Sequence, residues 1–216
     1  MRSVDELWLE TLQQINARAS HEVKGALNGV AVNLEVVRSR AARADAVAGA
    51  VSPFASSASD QLELVIEMAD ALLLLGRAPR EPIDLGATLR HLAAILGPSA
   101  RSEGGSLRLE EHAGEVKSVR ASGNLVRLLV GAALLAALRP EGEMRRWHVR
   151  CRVEAGEEAV VTVERVDDSS TEPLQIEPEI TAAATEGGIR VHSEAHAISF
   201  AFARAGAARE RAHERA

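Results

Sequence analysis

Apolar side chains in the first third of the chain recur at spacings of three and four residues, the pattern of amphipathic helices. The pattern predicts one helix over about residues 3–40, which the alanine-rich stretch to Ala48 could extend, and a second over about 58–75. A turn region rich in serine separates them, so we expect an antiparallel hairpin with a continuous apolar seam. The apolar positions are Leu12, Ile15, Ala19, Val23, Ala26, Val30, Leu34 and Val37 on the first helix and Leu62, Val65, Ile66, Ala69, Leu72 and Leu73 on the second.

The pattern changes after about residue 79, where short helices and strands follow one another. Helices are predicted over 86–96, 123–138 and 181–186, the first broken by Gly97-Pro98. Alternation predicts strands over 106–110, 148–153, 159–163, 189–192 and 197–202. Such an order favours an α/β sandwich with helices on one face of the sheet. The predicted fold class is α+β, with a helical hairpin over 1–78, a sandwich over 79–206 and a charged tail over 207–216.

The seam of the hairpin needs a covering surface, because two helices cannot bury a shared apolar stripe by themselves. Two copies that pack as a four-helix bundle would bury it, which predicts a homodimer. The alternative is that the seam packs against the second half of the same chain.

Composition narrows the classes of function. The chain has 216 residues, of which 46% are hydrophobic and 26% charged, enough to bury a core. Its formal net charge of −6 argues against a nucleic-acid partner. Acidic residues near the start exclude an ordinary signal peptide, and the longest uncharged apolar run, Leu128–Leu138, is shorter than the roughly 20 residues that cross a membrane. With Cys151 as the single cysteine, we expect a soluble, cytoplasmic protein without a membrane partner.

His21 is the residue of greatest chemical interest. It follows the stripe residue Ala19 by two positions, so at about 100° per residue it points towards solvent. Its helix face is shared by Ala17, Gly25 and Asn28. Glycine in a helix costs about 1 kcal/mol relative to alanine, and a bare surface suits a ring that another protein must approach. The alternative is a solvated histidine beside a glycine that serves helix packing.

The run His21-Glu22-Val23-Lys24-Gly25-Ala26-Leu27-Asn28 resembles the phosphoacceptor box of sensor histidine kinases, His-Glu-Leu-Arg-x-Pro-Leu-Asn, with Ala26 in place of proline. Residues 81–204 resemble the ATP-binding domain of that family. The phrases that carry this second resemblance are Glu81-Pro82-Ile83-Asp84-Leu85, the 125–138 helix with Pro140-Glu141-Gly142 after it, and Glu186-Gly187-Gly188-Ile189-Arg190-Val191. The resemblance implies a sandwich of the histidine-kinase ATPase type and a hairpin that dimerises.

The sequence departs from that family where ATP would bind. No Asn, Asp, Glu or Lys occurs from Leu125 to Leu138, where the family carries the asparagine that holds magnesium. Gly131 and Leu135 or Ala136 stand about where the family has amides. The stretch 166–173 replaces an Asp-x-Gly-x-Gly turn and contains no glycine. We therefore expect no ATP-dependent kinase activity, no cofactor of its own and no metal.

What remains resembles the dimeric histidine phosphotransferases of bacterial phosphorelays. That resemblance implies that His21 accepts a phosphoryl group from an aspartyl phosphate on one receiver domain and passes it to another. It makes Glu22 the group that orients the imidazole or acts as its base, and Lys24 a screen for phosphate charge. Response-regulator receiver domains would be the partners and would supply magnesium, and a hybrid histidine kinase is a further candidate partner. The residues expected to contact a partner are Ala17, Gly25 and Asn28.

Two other functions stay open. The chain could be a non-catalytic pseudokinase, a scaffold or inhibitor that binds a kinase or response regulator through the same face. It could also be a true kinase with an unusual nucleotide site. Glu22 could be an ordinary solvated carboxylate, and Lys24 could be inert. Because Gly25 offers no amide or hydroxyl to direct water, we expect weak phosphatase activity towards a receiver.

Overall fold

A computed structural model of the chain describes residues 2–43, 48–111, 118–139, 148–155, 158–166 and 173–205. The helices are α1 (Val4–Ala41), α2 (Ser52–Gly76), α3 (Leu85–Ser102), α4 (Gly123–Ala137) and α5 (Pro178–Glu186), with a 3-10 turn over Ala48–Ala50 before α2. The strands are β1 (Ser106–Glu111), β2 (His148–Ala155), β3 (Glu158–Val166), β4 (Arg190–Ser193) and β5 (Ala197–Ala203). Within the described part of the chain, no helix combines the length and the apolar character needed to span a membrane.

Helices α1 and α2 form the predicted antiparallel hairpin. Ser3 caps the N-terminus of α1 and forms a reciprocal capping box with Glu6, so the helix begins at Val4. Helix α1 ends at Ala41, and residues 44–47 of its predicted extension lie outside the described residues. Helix α2 begins six residues earlier than predicted, at Ser52, because Pro53 in its first turn favours rather than ends a helix.

Polar contacts near the tip set the register of the hairpin. The amide nitrogen of Asn33 lies 3.1 Å from Ser57 Oγ and donates to it, and it lies 3.4 Å from Gln61 Oε1. A Cβ atom on Gly29 would overlap the side-chain amide of Gln61, so this glycine allows the two helices to approach closely. Gly29 and Asn33 of α1 therefore mark the face that is turned towards α2.

The described residues of the second half of the chain form one five-stranded sheet with helices on one face. The strand order is β1-β2-β3-β5-β4, with β1 parallel to β2 and the other neighbours antiparallel. Alternate side chains of the central strands are buried and join a core with α3, α4 and α5; they are Ala159, Val161 and Val163 on β3 and Ile198, Phe200 and Phe202 on β5. The opposite face is polar and carries the ion pair Arg150–Glu164 at 2.9 Å. The predicted α+β fold class, a helical hairpin followed by an α/β sandwich, is confirmed.

Helix α3 is longer than the sequence predicts. It starts after Asp84, whose carboxylate accepts a hydrogen bond from Ala87 N at 2.8 Å, and it continues through Gly97-Pro98 to Ser102. The predicted break at Gly97-Pro98 was wrong. A proline inside a helix costs about 3 kcal/mol, but here the four residues from Gly97 to Ala100 are all buried, and their packing outweighs that cost.

The base of the hairpin, formed by residues 4–20 of α1 and 68–76 of α2, packs on the sandwich. Its buried side chains include Trp8, Ile15 and Ala19 of α1 and Met68 and Leu75 of α2. Helix α4 meets α1 at Gly131, where an added Cβ would lie 3.3 Å from Thr11 Cγ2 and 3.4 Å from Ile15 Cδ1. At the base of the hairpin, part of the seam is thus covered by the second half of the same chain.

Part of the seam nevertheless stays exposed. Five large apolar side chains, which we call the apolar flank, are 45–62% exposed; they are Leu27, Leu34, Leu62, Ile66 and Leu73. Along α2 the three flank residues are spaced by four and seven, which places them on one stripe of the helix. The sandwich covers one side of the base of the hairpin, whereas the flank, which includes Leu73 within the base, stays open.

We predict that Ile15→Ala lowers the free energy of unfolding by about 2–5 kcal/mol, the usual range for a fully buried isoleucine, because Ile15 fills the contact between α1 and α4. Urea titration at one fixed protein concentration measures it. Gln14→Ala, one residue away and exposed, is the matched control and should change stability by less than about 0.5 kcal/mol. Equal effects of the two substitutions would contradict the packing described for α1.

Candidate functional site

His21 lies on α1 just above the base of the hairpin, and its imidazole is open to solvent. The side chain is 87% exposed. Its Nδ1 lies 3.4 Å from Glu22 Oε1. An ionised carboxylate only accepts hydrogen bonds, so in the neutral ring this contact favours the tautomer with the proton on Nδ1. In that tautomer the other ring nitrogen, Nε2, keeps its lone pair.

Glu22 has a different environment from His21, although the two are adjacent. Its side chain is only 15% exposed. The carboxylate Oε1 lies 2.9 Å from the hydroxyl oxygen of Ser102, the last residue of α3. The structure thus places Glu22 between the imidazole and the sandwich rather than in open solvent.

The end of α3 is held against α1 by a second contact. The guanidinium Nη1 of Arg18 lies 3.5 Å from the carbonyl oxygen of Leu138 and 3.9 Å from Glu103 Oε1. Arg18 is one turn before Glu22 on the helix. The sandwich therefore contacts the turn of α1 that precedes His21 as well as the residue that follows it.

The other residues predicted for the site are all on the surface. Ala17, Lys24, Gly25 and Asn28 are exposed, and Lys24 takes part in no ion pair with another described residue. A Cβ atom on Gly25 would have no neighbour within 4 Å. The structure thus brings Ala17, Gly25 and Asn28 together around His21 as an open, nearly featureless surface, and it leaves Lys24 beside them.

The His21 face and the apolar flank lie on opposite sides of the hairpin. Gly29 and Asn33 face α2, and their direction serves as the reference on α1. Around the helix axis, Leu27 and Leu34 are rotated from this direction by about 120–140°. His21 is rotated by about 100° in the opposite direction. On α2, Ser57 and Gln61 face α1 and give the reference direction. The three flank residues of α2 are rotated from it by about 120–160°, in the same rotational direction as Leu27 on α1. Equal rotation on two antiparallel helices leads to the same side of the pair. A surface that covered the apolar flank would therefore leave His21 accessible.

The side of α2 next to His21 is acidic. Asp60, Glu63 and Glu67 lie about 80–140° round α2 in the sense opposite to the flank, and all are exposed. None of them forms an ion pair with another residue of the described chain. A macromolecule that approached His21 would meet this negative surface.

The face of helix α4 that carries Gly131 is covered by α1. Gly131, Leu135 and Ala136 are buried, and Gly131 packs against Trp8 and Thr11 of α1. The side chain of Asn124, in the first turn, donates to Asp5 Oδ1 at 2.9 Å. Residues 167–172 of the stretch that replaces the glycine-rich turn lie outside the described residues.

Other groups with possible chemistry belong to the core or to the surface of the sandwich. Burial raises the pKa of the Cys151 thiol to about 12, so it stays protonated. Burial, followed by the charges of Arg90 and Arg127, lowers the pKa of His91. No group of three metal-binding side chains is found among the residues that the structure describes.

Comparison with known proteins gives structural similarity only. No family model matches the chain, and no curated protein is significantly similar to it. Among solved structures, it is similar to the histidine kinase AdeS of Acinetobacter baumannii, with a TM-score of 0.42 and 11% identity over 85% of this chain and 98% of that one. It is also similar to the histidine kinase domain of the blue-light activated kinase EL346 of Erythrobacter litoralis, with a TM-score of 0.40 and 15% identity over 92% and 93% of the two chains.

A third similar structure is full-length ShkA in complex with AMPPNP, with a TM-score of 0.44 and 17% identity over 89% of this chain. The chain spans only 46% of the length of ShkA. These TM-scores are too low to establish a shared fold.

Sequence patterns missed the contribution of Ser102 to this site. If the helix ended at Leu96, as predicted, Ser102 would lie in a loop. In the structure, Ser102 is the last residue of α3 and contacts Glu22. The acidic side of α2 was also missed, although its spacing of three and four between Asp60, Glu63 and Glu67 is visible in the sequence.

We predict that Gly25→Ala raises the free energy of unfolding by about 1 kcal/mol, because alanine is the better helix former and the added methyl group meets no neighbour. Gly29→Ala is the matched control: it sits one turn further along α1, but its methyl group would displace Gln61 and should bring no gain. Chemical denaturation of both variants makes the comparison. If Gly25→Ala destabilises the protein, the surface around His21 is not open.

Proposed function

We propose that the protein is a histidine phosphotransferase of a two-component phosphorelay, in which His21 carries a phosphoryl group between aspartates of receiver domains. The observation that carries the proposal is the state of His21: an 87% exposed imidazole whose Nδ1 faces a largely buried carboxylate. The small residues around it leave room for a protein surface to reach Nε2. The cytoplasm is the compartment that we assign to this reaction.

The chemistry needs only the imidazole and what a receiver brings. The lone pair of Nε2 attacks the phosphorus of an aspartyl phosphate, the phosphorus–oxygen bond breaks, and the aspartate leaves as a carboxylate with the bonding electrons. The product is a phosphoramidate on Nε2, which can return the group to a second aspartate by the reverse steps. Phosphoryl transfer depends mainly on positioning and charge stabilisation, and the receiver's magnesium would supply most of the latter.

Glu22 and Lys24 have supporting roles in this proposal. The Glu22 carboxylate accepts a hydrogen bond from Nδ1–H. Its negative charge stabilises the positive charge that the ring gains as Nε2 bonds to phosphorus. Lys24 is exposed on the same stretch of α1 and would screen the phosphate charge as the two proteins meet. The acidic side of α2 favours a receiver surface that carries lysine or arginine.

The packing of α4 supports transfer between proteins rather than transfer from ATP. The face of α4 at Gly131 is occupied by Trp8, Thr11 and Ile15 of α1. A nucleotide that used this face would have to displace the base of the hairpin. We therefore propose a protein that acts without a nucleotide or metal of its own.

The apolar flank supports a homodimer. Leu27, Leu34, Leu62, Ile66 and Leu73 lie on one side of the hairpin, away from His21. A second copy that placed its own flank there would complete a four-helix bundle with a two-fold axis. Each protomer would keep its His21 on the outer side, open to a receiver.

We predict that incubation with a phosphorylated receiver labels the wild-type protein and that His21→Ala abolishes the label, because no other residue replaces Nε2. The bond should be labile in acid and stable in base, as a phosphoramidate is. His192→Ala, which removes another exposed histidine, is the matched control and should retain the label. Incubation with labelled ATP alone should give none.

Two outcomes would contradict this proposal. Label from ATP alone would indicate a kinase with an unusual nucleotide site. No label from either donor, with receiver binding intact, would instead indicate a scaffold or inhibitor that binds a kinase or response regulator without transferring a phosphoryl group.

We predict that Leu34→Glu converts the dimer to a monomer, since the new charge would be buried in the apolar interface. Light scattering should give about twice the chain mass of 23.0 kDa for the wild type and the chain mass for the variant. Val32→Glu is the matched control: Val32 is 64% exposed on the same helix but lies on the side of His21, so this variant should stay dimeric. A monomeric wild type, or dimers of all three proteins, would exclude the flank as the interface.

A further inference from the structure

Ser102 connects the sandwich to the imidazole through Glu22. The hydroxyl oxygen of Ser102 lies 2.9 Å from Glu22 Oε1, and the same carboxylate oxygen lies 3.4 Å from His21 Nδ1. Ser102 and Glu22 are 80 residues apart in the chain, so this contact exists only because α3 ends beside α1. Through this contact the sandwich is linked to Glu22, which in turn contacts His21.

The hydroxyl proton of Ser102 has two acceptors within reach. One is Glu22 Oε1, and the other is the carbonyl oxygen of Ser99, also at 2.9 Å. A hydrogen bond to a carboxylate is about twice as strong as one between neutral groups. If the proton pointed to Ser99, an oxygen lone pair would face the carboxylate at the same distance, which is repulsive. The proton therefore belongs on the side of Glu22.

Glu22 needs such a restraint to act on His21. Adjacent residues on a helix point about 100° apart, so the two side chains do not face each other by default. A freely rotating glutamate would spend much of its time in solvent and lose its contact with the ring. The bond from Ser102 holds one carboxylate oxygen on the side where Nδ1 can reach it. Arg18, which contacts both Leu138 and Glu103, keeps the end of α3 in place.

We propose that Ser102 is a positioning residue for phosphoryl transfer: it fixes the Glu22 carboxylate, which in turn holds the His21 proton on Nδ1 and leaves Nε2 as the nucleophile. This inference rests on the proposed function of His21. It gives the sandwich a part in the chemistry that requires no nucleotide. During transfer the proton stays on Nδ1, Nε2 bonds to phosphorus, and the receiver's aspartate leaves with the electrons of the broken bond.

The first test compares transfer rates at saturating phosphorylated receiver. Ser102→Ala should lower the limiting rate about five- to tenfold, the scale of a typical lost hydrogen bond, and should leave the half-saturating receiver concentration unchanged. Ser102→Thr keeps a hydroxyl and should restore most of the rate. Ser20→Ala, an exposed serine beside His21, is the matched control and should behave as the wild type.

The second test measures the coupling between Ser102 and Glu22. In a Glu22→Ala background the Ser102→Ala substitution should have no further effect, because the group that it positions is gone. The same loss in both backgrounds would overturn the proposal. A rise in half-saturating receiver concentration with an unchanged limiting rate would also overturn it, since that result would make Ser102 a contact of the receiver.

The third test needs no transfer reaction. Nitrogen-15 NMR of the His21 ring reports which nitrogen carries the proton, and the wild type should show it mainly on Nδ1. Ser102→Ala should shift the population towards protonated Nε2, and Ser102→Thr should not. An unchanged tautomer in Ser102→Ala would overturn this inference even if His21→Ala abolishes the label. Failure of the wild type to accept any label would overturn the proposed function, whereas the tautomer would still report on Ser102.

Discussion

Gly131 of α4 lacks a side chain, and this lets α1 lie directly against α4. Thr11 and Ile15 approach the position of its missing Cβ to 3.3 and 3.4 Å, and Trp8 to 3.6 Å. This contact is one of those that hold the base of the hairpin against the sandwich. It buries the base of the hairpin against the sandwich, and it thereby fixes which residues of α1 lie above the sandwich and remain open. His21 is among the first of those open residues.

The same contact separates three surfaces that one amphipathic hairpin would otherwise share. Below His21, the apolar side chains of Ile15 and Ala19 are buried within the chain. Above it, the apolar flank around Leu34 and Ile66 stays exposed. The third surface, with Gly25 and His21, is polar or bare and lies on the opposite side of the hairpin. In the proposed function these separate surfaces would allow dimerisation and receiver binding at the same time, since neither covers the other.

Local signals predicted those parts of the fold that depend on local interactions. The hairpin, α4 and the strand pairs follow from residue spacing, and the exposure of His21 follows from its position two residues after Ala19. Helix α3 did not follow, because burial of Gly97 and Pro98 in the folded core overrides the helix-breaking tendency of that dipeptide. Because the predicted helix ended at Leu96, Ser102 was not expected on α3 or beside α1. No pattern in the sequence relates Ser102 to Glu22, since their contact joins segments 80 residues apart.

The link between the hairpin and the sandwich also bears on mechanism. Besides the contact at Gly131, Arg127 of α4 donates to the carbonyl oxygens of Leu74, Leu75 and Arg77 at the end of α2, at 3.3, 3.1 and 2.7 Å. A domain that phosphorylates a histidine from its own nucleotide must bring the phosphate to within about 3.5 Å of the ring, so it must move relative to the hairpin. Here the face of α4 at Gly131 is part of the attachment. In the proposed mechanism the sandwich keeps this attachment and holds Glu22 in place while a receiver delivers the phosphoryl group.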